Sequence, residues 1–442
     1  MMNYSLKSIF SKNYLINILI TLLPLSFILG NLSININVIL IIALSILFYK
    51  KDILSFKLNF VDKIVTIFFF YLFLIGTLTS LYNFYFNYLD DYTVLFKSWA
   101  YLRFLIFYII LRYLINSDFL NLKLFFISCS VCAFLVVSDI IFQFIFGVNI
   151  IGLEKIYPRH VTSFFGEEAI AGSYLQRFSL FLIFFPLFFF DNKNLIIKIL
   201  FILLIALTFF ALLAAGNRMP MIFFLFSIFL LIFLQKNWKK NLIFFLLVCS
   251  VVFTIMYNLF PQIKVHYGGF FVKSQRIVTS VITGNVDPKN PGWLFHGHFK
   301  EFYAGYETWK LNKIFGAGVK SFKYNCPKTS VVNCGPHPHN YYLELMADLG
   351  IIGLILFIST YLIIITKKFL SISKNKGGFY YKNYENIIFA LFFVEFFPIK
   401  TTGSFFTTGN ATYIVLILAI LVSLLFSKNN LFIEKSFSEY KL

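Results

Sequence analysis

Acidic residues are scarce in this chain. Only 19 Asp and Glu stand against 38 Lys and Arg, and 13% of the 442 residues are charged at all. That excludes an ordinary soluble domain, in which about a quarter of residues are charged. A cleavable leader is also missing: the first apolar run starts near Leu15 without a small-residue cleavage site, so none is expected. Convincing internal repeats are absent too, and with them the related halves of many transporters. What fills the chain is apolar: 59% hydrophobic and 21% aromatic residues, with mean hydropathy +0.81. Apolar runs of about 20 residues recur, each long enough to cross a bilayer core. The chain reads as an all-α polytopic membrane protein.

Twelve spans are expected, at roughly 13–30, 33–49, 62–82, 94–115, 122–147, 172–190, 195–215, 219–235, 241–260, 341–366, 386–406 and 410–427. The formal charge of +19 would suggest nucleic acid in a soluble protein. Here most basic residues lie between apolar runs, as the positive-inside rule requires, and nucleic acid is not expected as a partner. Lys50, Lys51, Lys57, Lys63, Arg112, Lys123, Lys193, Lys198, Lys236, Lys239, Lys240, Lys367, Lys368, Lys374, Lys376 and Lys382 fall on one side. Twelve spans put that side, and both termini, in the cytoplasm. The organisation is then 1–260 with nine spans and an outer loop at 148–171, a large outer loop at 261–340, and 341–442 with three spans and a cytoplasmic tail. A cysteine replacing Lys289 should react with an impermeant thiol reagent in intact spheroplasts, and one replacing Lys374 only after lysis. Labelling at 374 in intact cells would rule out this topology.

The outer loop 261–340 holds ten Lys and Arg against Asp287, Glu301 and Glu307. Long loops escape the positive-inside rule, so simple solvation explains this excess as well as a surface for an anionic lipid headgroup or diphosphate does. All six histidines (His160, His266, His296, His298, His337 and His339) fall on the outer side. Groups able to move protons near neutral pH are therefore gathered on one face. Cys129, Cys132 and Cys249 lie within spans and read as packing. Cys326 and Cys334 share the outer loop eight positions apart, where an oxidising compartment allows a disulfide.

Four stretches stand out. In "HPHN" (337–340) the proline keeps His337 and His339 in an extended entry segment. Asn340 is the expected N-cap, and a helix starts at Tyr341. His339 then lies at a helix mouth and is the candidate general base, with His337 beside it. The bland alternative is a helix boundary. Glu344 and Asp348 follow on one helix face, where they could orient the histidine or line a polar cavity. In "AAGNRMP" Arg218 occupies a hairpin tip with almost no loop to solvate it, a position that suits a phosphate ligand or a snorkelling side chain. The pairs "HGH" (296–298) and "HPH" (337–339) are poor zinc sites, because no acidic ligand recurs and neither pair has helical i, i+4 spacing. In "FFPIKTTGSFFTTGN", Glu395 and Lys400 form a buried pair or a polar gap into a cavity.

Together these segments resemble the bacterial O-antigen ligase and polymerase superfamily, integral membrane glycosyltransferases of the GT-C type. "HPHNYYLELMADLGIIG" is similar to the family's His-Asn, leucine-rich, acidic-x-Gly signature, and "GAGVKSFKYNC" to the Gly-x-Gly stretch before it. "AAGNRMPMIFF" resembles its Arg-bearing outer hairpin. "RHVTSFFGEEAIAGSYLQRF", which opens on Arg159, resembles the first outer loop of the ligase-like branch. The resemblance implies a GT-C-like bundle with a large helical periplasmic loop, in the bacterial inner membrane. It implies metal-independent, inverting transfer of a glycan from undecaprenyl diphosphate, without a cofactor. The acceptor would be lipid A–core in a ligase, or another carrier-linked glycan in a polymerase. Catalytic roles go to His339 and Arg218, and substrate contacts to His337, Arg159, Glu344 and Lys400. A second family arginine, about eighteen positions before the Gly-x-Gly, falls on His298 here; His298, Lys300 or Arg276 would supply that charge. A transporter of lipid-linked glycans is the alternative from another class. It would show broken helices, and the sequence gives no sign of them.

Overall fold

A computed structural model describes residues 12–85, 92–157, 159–190, 194–234, 239–283, 298–331, 334–372, 379–401 and 403–426. Lys193, Lys236, Lys289, Lys374, Lys376, His296, the side chain of Arg276 and the C-terminal tail lie outside the described residues. Among the described residues every named element is helical. In order they are α1 (Lys12–Thr21), α2 (Leu23–Leu29), α3 (Asn31–Leu54), α4 (Phe60–Tyr85), α5 (Thr93–Asn116), α6 (Leu122–Phe146), α7 (Ala171–Phe189), α8 (Leu195–Ala214), α9 (Arg218–Leu234) and α10 (Lys239–Leu259). Then come α11 (Pro261–Thr283), α12 (His298–Leu311), α13 (Phe322–Asn325), α14 (Tyr341–Ile372), α15 (Phe379–Glu395) and α16 (Thr408–Phe426).

Among the described residues eight helices are long and apolar enough to cross a membrane, and up to ten if each bent pair counts as one span. The α1–α2 pair bends by 41° and the α10–α11 pair by 112°. Of the twelve expected spans, 219–235 is a helix of 17 residues, about 25 Å long against a core of about 30 Å. The span expected at 386–406 is displaced: α15 covers 379–395. Residues 396–401 and 403–407 are irregular, and Pro398 helps to end the helix before them. Phe405 and Phe406 are apolar there because they pack inside the protein, each under 5% exposed.

The bundle is built around α7 and α16, each 83% buried along its apolar window, whereas α3 and α4 are only 33% buried. Aromatic contacts join the centre, with Phe178 of α7 against Tyr413 of α16 at 5.7 Å between ring centroids. At the end expected to face the cytoplasm, Asp62 of α4 accepts from Arg112 Nε at 2.8 Å and Tyr108 Oη at 2.7 Å. Arg112 is thus a buried, paired residue and not a loop base. Lys368 is likewise buried against Glu385 and Asn386.

The opposite end carries the irregular segments. Helix α14 is broken there, at Gly350 (φ +64°). The freed groups are taken up by residues 313–318: Ile351 N donates to Lys313 O at 3.0 Å, and Ala317 N and Gly318 N donate to Asp348 O at 2.9 and 2.8 Å. An apolar helix interior tolerates a break only when protein satisfies the exposed backbone in this way. The approach demands glycine on both sides: a Cβ at Gly350 would lie 2.3 Å from Ile314 O, and one at Gly316 2.3 Å from Asp348 O. The expectation of unbroken helices therefore fails at this point. Residues 351–372 can still cover about 30 Å alone.

Cys326 and Cys334 form a disulfide, packed with Ala304, Phe322 and Ala347. Its short loop predicts a modest contribution, about 2–3 kcal/mol by loop-closure entropy. Replacing both cysteines by serine should lower the melting temperature without abolishing activity, and peptide mapping without reductant should recover the linked pair. Two free thiols in protein purified without reductant would refute the bridge.

Candidate active site

The start of α14 is fixed by Asn340. Its Oδ1 accepts from Tyr342 N at 3.0 Å and Leu343 N at 3.2 Å, the expected N-cap. Its Nδ2 donates to Pro398 O at 2.7 Å and Lys400 O at 3.3 Å, which ties the helix mouth to the 396–407 turn. His339 precedes it with φ +53°, a conformation costly for a residue with a Cβ and commonly found where function fixes the backbone. Here the histidines converge. The ring of His339 lies 4.2 Å from that of His337 and 4.9 Å from that of His298. Its Nε2 is 3.1 Å from Glu301 Oε2, both side chains being 29% exposed. α12 reaches this corner because Gly305 lets it close on Pro338: an added Cβ would lie 2.9 Å from the proline's. Burial pushes the His337 imidazole down to about 4, with His339 and Lys320 adding to the shift. His337 is therefore neutral at physiological pH.

A second group gathers at the α8–α9 hairpin. Arg218 Nη2 donates to His266 O at 2.7 Å and lies 3.1 Å from His266 Nδ1. His266 Nε2 is 2.9 Å from Gly216 O, and His160 Nδ1 is 3.2 Å from Ala215 O. The turn closes on the first outer loop at Gly216 (φ +71°), where a Cβ would meet Arg159 O at 2.0 Å. Burial, followed by the charges of Arg159, Arg218 and Lys155, holds His160 below its usual value against the opposing effect of its bond to Ala215. Among the described residues Arg218 pairs with no carboxylate, and its Nε is buried without a partner. Two guanidiniums within electrostatic reach, with no carboxylate between them, form a ready receptor for phosphate oxygens.

Between these regions lies a buried ionic node. Glu395 Oε1 accepts from Arg177 Nη2 at 2.6 Å and Tyr341 Oη at 2.9 Å, and Oε2 accepts from Lys400 Nζ at 2.6 Å. Lys400 is thus buried and paired with a carboxylate. Arg177 was absent from the residues expected on sequence, although an arginine inside an apolar run is itself a signal.

Glu344 and Asp348 differ from the expectation of an open polar cavity. Glu344 accepts from Ser404 Oγ and from Phe405 N at 2.6 Å. Asp348 accepts from Lys320 N at 2.8 Å, Phe322 N at 2.7 Å and Ser321 Oγ at 3.0 Å. Both carboxylates bracket turns, with all their visible partners in the protein. The place of the family's second arginine, His298, joins the histidine group and not Arg218. Lys300 is half-buried on the same helix. Lys320, missed on sequence, is the lysine whose charge reaches His337.

The fold and site define a multi-pass helical membrane protein with a cluster of histidines and a cationic hairpin at one end of its bundle. Residues 201–358 match the family described as O-antigen ligase, which supports membership of the O-antigen ligase and polymerase superfamily. The match runs from α8 into α14 and takes in Arg218, the α12 helix and the "HPHN" corner. The family comprises membrane enzymes of the glycosyltransferase kind, working on lipid-linked glycans and glycolipids. Among curated proteins none matches the chain.

Proposed function

We propose that the protein is an O-antigen ligase of the bacterial inner membrane, with its active site facing the periplasm. It would move a glycan from undecaprenyl diphosphate to lipid A–core, without a metal and with inversion. The observation that carries this reading is the His339–Glu301 contact at the mouth of α14, at the same end of the bundle as the carboxylate-free pair Arg159 and Arg218. In the tautomer whose proton sits on Nε2, the atom 3.1 Å from Glu301 Oε2, the Nδ1 lone pair of His339 is the candidate base. It takes the proton of the acceptor hydroxyl as that oxygen bonds to the anomeric carbon. The bond from that carbon to the diphosphate breaks on the opposite face, and its electron pair leaves on the diphosphate. Arg218, aided by Arg159, stabilises the charge that develops there. His337, neutral and close, can hydrogen-bond the sugar without competing for the anion.

The test is a deletion strain examined for its surface glycans. A ligase predicts complete lipopolysaccharide core carrying no chain. Core bearing a single repeat would replace this reading by a polymerase, and unchanged glycans would remove both.

A further inference from the structure

Below the 396–407 turn a cavity of about 550 Å³ opens between α2, α7, the first outer loop and the start of α16. Arg177 and Lys400 both line it, while Glu395, which pairs with both, stands behind them and does not. Two buried cations therefore face the space with one carboxylate to balance them. The guanidinium spends Nε and Nη2 on Glu395, Tyr341 and Asn410, which leaves Nη1 without an acceptor among the described residues. A second, independent feature points the same way. Gln176, 1% exposed, also lines the cavity, and its Nε2 is buried without a hydrogen-bond partner. A buried amide left unpaired costs about 1–3 kcal/mol unless something else accepts its proton. The carboxylate lining the wall, Glu168, is exposed to solvent at the rim.

One side of the wall is apolar, with Phe27 and Phe165 inside it and Leu29, 66% exposed, at its edge on the bundle surface, while Asn31, Ser173, Thr407 and Asn410 add polar groups elsewhere. A cavity with a cationic floor and an apolar side open towards the bilayer suits an amphiphile, not a free ion. We infer that this cavity is a second ligand site, binding the phosphate of a membrane-anchored lipid on Arg177, Lys400 and Gln176 with the lipid chain along Phe27 and Phe165. It adjoins the Arg218 hairpin through Pro220, but Arg218 itself does not line it. It rests on the transfer reading only for the identity of the lipid, which is either the phosphorylated glycolipid acceptor or a polyprenyl carrier.

The test uses the full chain in nanodiscs of neutral phosphatidylcholine. Equilibrium binding is measured with three probes: farnesyl phosphate, farnesyl diphosphate, and an acylated glucosamine disaccharide bearing phosphate. Gln176→Leu touches neither cation and should weaken the bound lipid phosphate about tenfold, the loss of one hydrogen bond to a charged group. Arg177→Gln combined with Glu395→Gln removes the guanidinium together with the carboxylate it pairs with, leaves Lys400 and the net charge in place, and should weaken binding about tenfold through loss of the guanidinium's charge-assisted hydrogen bonds. Arg218→Gln should leave the site intact. Preference for the disaccharide assigns the site to the acceptor, and preference for the farnesyl probes to the carrier. Wild-type affinity in either folded cavity variant, or no binding of any probe by the wild type, overturns the proposal. His339→Ala should bind all three probes normally, so a failure of the transfer reading leaves this result standing.

Discussion

Replacing His339 by alanine should abolish glycan transfer while the lipid-linked donor still binds. A general base acts mainly in the transition state, so the expected loss is roughly 10²–10⁴ in rate with little change in donor affinity. His339 is singled out by its surroundings: it contacts Glu301, stands beside the capped start of α14, and holds a backbone conformation that alanine tolerates no better. Glu301→Gln should give a smaller loss, because it leaves the imidazole present but poorly oriented. His337→Ala should be milder still than His339→Ala. The measurement is in vitro transfer from purified lipid-linked glycan, with donor binding assayed apart. Normal turnover by His339→Ala beside an inactive His337→Ala would move the base to His337. Normal turnover by both would reduce the corner to a helix boundary.

The largest effect on stability is expected from Asp348→Ala. This carboxylate is fully buried and accepts three hydrogen bonds from the 320–322 turn. Removing it strands two backbone N–H groups and a hydroxyl away from water, each worth about 1–3 kcal/mol. A total loss of about 3–5 kcal/mol follows, since the turn relaxes in part. Asp348→Asn keeps one acceptor and should cost less. The 312–331 segment should become sensitive to protease in Asp348→Ala, and activity should fall because Lys320 and the disulfide loop lead directly into the histidines. A variant that melts with the wild type and resists protease equally would show that the turn is held by something else.

Much of this was legible in the sequence. The helix start at Tyr341, its asparagine cap and the pairing of Cys326 with Cys334 all follow from local chemistry, which a single chain displays. What escaped depends on partners distant in sequence. The i, i+4 spacing puts Glu344 and Asp348 on one face but does not say that the face meets two turns and not open water. Gly350 looks ordinary within an apolar run; only Lys313 and Ile314, more than thirty positions earlier, reveal the break. The run at 386–406 is apolar enough for a span, yet Phe405 and Phe406 earn that apolarity by filling the interior. Arg177 passed unnoticed because hydropathy averages one charge away among many phenylalanines.

The break at Gly350 has a geometric consequence. Since the main chain of residues 313–318 is hydrogen-bonded into the helix, the outer segment and the span below it form one piece, and His339 stands two to three turns above the joint on that same piece. The height of the imidazole over the bilayer is then set like a mark on a ruler. A lipid carrier's phosphates lie at headgroup level, so the mark selects the sugar joined directly to them and no later one. Under the proposed transfer, the enzyme would measure from the membrane upward and be indifferent to how long the glycan has grown.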